Sequence, residues 1–179
     1  MVTTDATTDA TRGSRRFHAF GLGIGCSAVV VATVLCVVGQ VPALGPLLVF
    51  GGLVAFAENR GVELPDGTTL SASSVPTMAA VVVFHAQGAP AGAMVVAMCG
   101  ALYLPALRDR DIGRVLFHAG SYGLATLVVS LTFAGLAAVA DSTGLALLLI
   151  TLPVALVDLL VNDLLVAVAV ALSRGRTVL

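Results

Sequence analysis

Asp158, Asn162 and Asp163 stand in the middle of a run, LLLITLPVALVDLLVNDLLVAVAVAL, that is otherwise almost wholly apolar from Leu147 to Leu172. Residues four apart share a helix face, so Asp158 and Asn162 fall on one stripe together with Thr151 and Ala155. Asp163 is turned by about 100° from Asn162 and must meet a different neighbour. A charged acid at hydrocarbon depth costs roughly 2.5–3.5 kcal/mol on insertion scales, and no Arg or Lys lies inside any apolar run to pair with it. Three things would satisfy such a group: a proton, because burial disfavours the charged form; hydroxyl or backbone donors from another helix; or a cation or amine arriving from water. The first two would make a neutral clasp between helices, and the third would make a binding site. The densest set of donors is Ser121, Tyr122, Thr126 and Ser130, the last three spaced by four. The expected ligand-binding set is therefore Asp158, Asn162, Ser121, Tyr122 and Thr126, lining a polar pocket for a small molecule or cation. No catalytic residue, metal site or cofactor is expected.

The elements that must hold these residues follow from composition. Of 179 residues, 58% are hydrophobic and only 11% charged, against about 25% charged in soluble domains; mean hydropathy is +1.04. Such a chain cannot cover itself with polar surface, so lipid must cover part of it. With about 20 apolar residues needed per crossing, six spans are expected: 17–39, 42–57, 71–87, 91–107, 115–139 and 145–172. Long runs without alternation argue against a β-barrel. All nine basic residues are Arg. Six spans with the N-terminus inside place all nine on the inner side, and fewer or more would scatter them. The expected architecture is an all-α bundle of six transmembrane helices with both termini cytoplasmic, multi-pass in a bacterial inner membrane. Residues 1–16 are expected to form a disordered cytoplasmic tail, 17–173 a single transmembrane domain, and 174–179 a second cytoplasmic tail. A net charge of −1 gives no warrant for a nucleic-acid partner.

Other residues have plainer readings. Ala28 and Ala32 make a small-x-x-x-small pair on the first span, which permits close helix approach and is the candidate surface for a membrane-protein partner or a second copy. Pro65-Asp66-Gly67 signals a turn in the longest inner loop, expected to pack under the bundle. Ser71, Ser73 and Ser74 are placed to cap the next helix and are expected to be buried against protein. Cys26, Cys36 and Cys99 suit small apolar fillers. His18 and His118 suit interfacial anchors. Glu58 and His85 superficially suggest an intramembrane protease, but the threading puts them on opposite sides, and a catalytic pair must come within hydrogen-bond reach. The chain is not expected to be an enzyme.

Three stretches, FAENRGVELPDGTTLSASSVPTMAAVVVF, RVLFHAGSYGLATLVVS and LVDLLVNDLLVAVAVALSRG, together resemble the multi-span membrane module that precedes HD-GYP, GGDEF or EAL signalling domains in actinobacteria. The resemblance covers roughly residues 45–175. It departs at His118, Asp158 and Asp163, where the module more commonly has Asn, an aromatic and a small neutral residue. It implies a module that senses a ligand and regulates or assembles with partner proteins. The layout is also similar to the substrate-binding subunit of energy-coupling-factor transporters, which implies the alternative of a small-molecule uptake subunit. A structural subunit of a membrane complex is a further alternative.

Overall fold

The computed structural model describes residues 4–63, 69–108, 112–139 and 144–173. Among these residues seven α-helices follow in order: α1 Thr4–Val38, α2 Leu44–Glu58, α3 Ser74–Ala86, α4 Pro90–Met98, α5 Leu104–Arg108, α6 Ile112–Val139 and α7 Gly144–Ser173. A 3₁₀ turn, Cys99–Ala101, follows α4. Between α2 and α3 a two-residue antiparallel ladder pairs Val62 with Leu70 and Glu63 with Thr69. Among the described residues, three helical segments are long and apolar enough to cross a membrane: Phe17–Val38, Ile112–Val139 and Leu148–Leu172. Three shorter apolar segments, Leu44–Glu58, Ser74–Ala86 and Pro90–Ala101, correspond to the expected second, third and fourth spans. The fourth expected span is broken, because helical geometry gives way at Cys99 and resumes only at Leu104.

α1 runs as helix from Thr4, through residues 4–16 of the stretch expected to form a tail. Extending an existing helix adds one hydrogen bond per residue fixed, whereas nucleation is the costly step, so the polar start prolongs the apolar helix behind it. The Pro65–Gly67 turn and residues 174–179 lie outside the described residues.

α6 is the axis of the bundle, in contact with α1, α3, α4 and α7. Against α1 the approach is backbone to backbone. A methyl group added at Gly25 would stand 2.9 Å from the Leu116 carbonyl oxygen, and one at Gly120 would stand 2.7 Å from the Gly25 nitrogen. α4 is covered almost all round: Ala91, Ala93, Met94, Val96 and Ala97 are each no more than 2% exposed. Its small residues permit this, and Gly92 leaves the space that the Phe84 ring fills. The α3–α4 reversal is a Schellman turn. Gly88 adopts φ +66°, its N–H donates to the His85 carbonyl, and the Ala89 N–H donates to the Phe84 carbonyl, both at 2.9 Å.

The main apolar cluster joins Val54 of α2, Val81 and Phe84 of α3, Val96 of α4, Val129 and Phe133 of α6, and Ile150 and Val154 of α7. A second one joins Ala28 and Ala32 to Met94. The face offered to a partner by Ala28 and Ala32 is therefore taken up inside the chain: they are 0% and 8% exposed. Small side chains let α1 settle against its own bundle.

Candidate functional site

Toward the Glu58 end of the bundle a cleft of about 870 Å³ opens among α2, α3, α6 and α7. Asp158 and Asn162 line it from α7 and Tyr122 and Thr126 from α6, each pair spaced by four residues. Thr151 and Ala155, on the same stripe of α7 as Asp158, line it too. Four of the five residues expected to form a pocket thus face one space. Ser121 does not. It is 1% exposed and its hydroxyl donates to the His118 carbonyl at 3.2 Å. One residue of helix rotation separates it from Tyr122, enough to turn it out of the cleft. Asp163, exposed, lines the same space from the side.

The polar groups in this space are short of partners. The Asn162 carbonyl oxygen is buried and accepts no hydrogen bond. Asp158 is half-buried, and among the described residues it has no ion pair and no Lys, Arg or His lines the cleft. Thr126 is 1% exposed and lines the same wall. The Tyr122 hydroxyl lies within electrostatic reach of both Glu58 and Asp158, and its ring rests beside Gly100, where a methyl group would stand 2.8 Å from Cδ2. The His118 ring lies 5.7 Å from the Tyr122 ring, centroid to centroid. Among the described residues, no three His, Cys, Asp or Glu side chains are grouped to hold a metal ion.

Glu58, Ser73 and Thr77 join the site from α2 and α3; Ser73 was expected as a helix cap, Glu58 was weighed only as half of a protease pair, and Thr77 was not singled out. The Ser73 hydroxyl donates to the Glu58 carboxylate. Ser73 is the first-turn boundary of α3, yet it forms no side-chain cap; instead its carbonyl accepts the Thr77 hydroxyl at 2.8 Å. Ser71 Oγ accepts the Ser73 N–H at 3.1 Å. The expectation of three serines buried against protein is corrected at Ser74, which is exposed, because Ser73 alone points toward Glu58. The neighbouring Asn59 was also missed. Its Nδ2 donates to the carbonyls of Ala55 at 2.7 Å and Leu102 at 2.9 Å, and its Oδ1 accepts the Leu104 N–H at 2.8 Å. Asn59 thereby ties the end of α2 to the break between α4 and α5. The available signal was a run of polar residues, Glu58-Asn59-Arg60, closing an apolar helix.

A family model, MASE9, matches residues 46–179. The chain belongs to the MASE9 family. This is a family of membrane-associated sensor domains, and the match takes in every residue that lines the cleft, from Val54 to Asp163. In this MASE9 chain the first 45 residues, with α1, precede the matched stretch. No curated protein and no solved structure matches the chain.

Proposed function

We propose that the chain is the input module of a bacterial membrane signalling system, in which a small ligand enters the cleft between α3 and α7 and alters how the Glu58 end of the bundle engages a partner. The observation that carries this reading is the cleft itself. It gathers Asp158, Asn162, Tyr122 and Thr126 from two helices and leaves a buried amide oxygen without a donor, a cost of about 1–3 kcal/mol unless something supplies one. The family supports a sensor. The break after α4 and the Asn59 tie sit directly beside the cleft, where a shift of Tyr122 against Gly100 would be felt. We place six passes in an inner membrane with both termini cytoplasmic; support comes from Arg60, Arg108 and Arg114, which all lie toward the Glu58 end, away from the Gln40–Gly88 end. The transport-subunit reading loses its docking stripe, since Ala28 and Ala32 are buried within the chain.

The test is thermal stability of the full chain in nanodiscs, screened against a library of small molecules. A true ligand is expected to raise Tm of the wild type and to leave Ala155→Phe unmoved, because Ala155 lines the cleft and is exposed, so the larger ring occupies it without disturbing the core. Compounds that stabilise both proteins equally, and none that separates them, would remove the cleft from the account.

A further inference from the structure

We infer that the ligand of this cleft is an organic cation: a primary ammonium or guanidinium head on an apolar body. This rests on the sensor reading above and gives its ligand a chemical class. The head group is dictated by an imbalance of donors and acceptors. Glu58, Asp158 and Asp163 bring three carboxylates to one space, and among the described residues no cationic side chain accompanies them. The Asn162 carbonyl oxygen, buried and unpartnered, adds a fourth acceptor. Ionised carboxylates and amide oxygens only accept hydrogen bonds. Ser73 is committed to Glu58, which leaves Asp158 and Asn162 unsatisfied. Tyr122 and Thr126 bring hydroxyls to the same wall but no positive charge; a partner that brings N–H donors and positive charge together answers the carboxylates as ions, and an ammonium brings three donors. Asp158 and Asn162, one turn apart, are spaced about 5–6 Å at their Cβ atoms, close enough for one such head to reach both.

A bare metal ion fits less well, since the described residues offer no group of three ligating side chains. The rest of the wall explains the body. Val54, Met78, Ala97, Ala125 and Leu152 line the same space, and at about 870 Å³ it lies within the range of drug-sized ligand sites, about 300–1,000 Å³. The lips are apolar as well: Val75 on α3 and Leu152 and Leu159 on α7 are 71%, 70% and 56% exposed. An amphiphilic amine can thus slide in from the bilayer with its head leading toward Glu58 and Asp158.

Three probes of one shape and different head groups test this: 4-phenylbutylamine, 4-phenylbutanol and 4-phenylbutyrate, added to the full chain in nanodiscs of zwitterionic lipid. The amine is expected to raise Tm by several degrees, the alcohol and the acid to leave it unchanged. Asp158→Asn is expected to keep the ligand-free Tm while losing at least tenfold in amine affinity, and Ser121→Ala, outside the cleft, to bind normally. No shift with the amine, an equal shift with the alcohol, or undiminished binding by Asp158→Asn would overturn the inference. A shift from the alcohol or the acid that Ala155→Phe abolishes would overturn only the cation, leaving the ligand cleft in place. Failure of every cleft-dependent ligand in the wider screen would take the sensor reading with it.

Discussion

Asp158 answers to a different energetic rule from its neighbours. A buried polar group whose partner is removed suffers the full desolvation cost, whereas one that had no partner loses nothing when replaced by an apolar residue. Asp158 makes no hydrogen bond or ion pair among the described residues, while Glu58 holds the Ser73 hydroxyl. Asp158→Leu is therefore expected to leave the ligand-free protein as stable as wild type or slightly more so. Ser73→Ala is expected to lower stability by about 1 kcal/mol, at the low end because both groups are half-buried. Chemical denaturation in mild detergent would measure both, and a large loss from Asp158→Leu would show that the acid is a clasp after all. At this scale the sequence was informative where helical periodicity applied: Asp158 with Asn162, and Tyr122 with Thr126, follow from spacing by four. Ser121 failed because a single position of rotation decides which face a hydroxyl takes. Glu58 and Ser73 failed because their meeting joins the end of one helix to the start of another, across a loop whose path no local pattern encodes.

Between elements, the α1–α6 contact is the tightest joint. Gly25 and Gly120 are needed there because backbone atoms of the other helix occupy the place of a side chain; Gly23, on the opposite side of α1, meets nothing within 4 Å. Gly120→Ala is expected to cost about 1–3 kcal/mol through overpacking. Gly23→Ala is expected to gain about 0.5–1 kcal/mol, since Ala loses less freedom in a helix. Unfolding of the two variants side by side would check the joint, and equal behaviour would refute it. The small-residue content of the first span was visible in the sequence, but its direction was not. Ala28 and Ala32 look the same whether they face a partner or the chain's own α4, since composition records how closely a helix can be approached and not by what. The break at Cys99–Leu102 had a signal in Pro105, which has no N–H to donate and whose ring clashes with the carbonyl four residues back, that of Ala101. Asn59 then takes up the freed backbone at Leu102 and Leu104, a long-range partner that no local pattern encodes.

For the whole molecule, a helical membrane protein followed from composition alone, and the order and type of the helices from runs of apolar residues. Lengths were less legible. The ruler of about 20 residues per crossing assumes a helix that faces lipid, and α4, nine residues long, faces protein on nearly every side, so the ruler overstated its length. The proposed six-pass arrangement has its own check. In a background with the three native cysteines replaced by alanine, Gln87→Cys is expected to react with an impermeant maleimide from outside intact cells. Arg60→Cys is expected to react only after the membrane is opened. The reverse pattern, or labelling of both from outside, would redraw the topology.

The unequal helices have a mechanical consequence. The outward apolar side chains of α2 run from Leu44 to Phe56, a height of about 18 Å at 1.5 Å per residue. Those of α7 run from Leu145 to Val170, about 38 Å by the same rise. One flank is too short for a hydrocarbon core of about 30 Å and the other too long. In the proposed six-pass arrangement the surrounding leaflets pinch beside α2 while α7 leans to hide its excess, each at a fraction of a kcal/mol per ångström of mismatch. That arrangement would couple the molecule to bilayer thickness. Tm is expected to be higher in nanodiscs of a fourteen-carbon phosphatidylcholine than in those of a twenty-two-carbon one, and a flat response across chain lengths would show that the short flank never touches lipid.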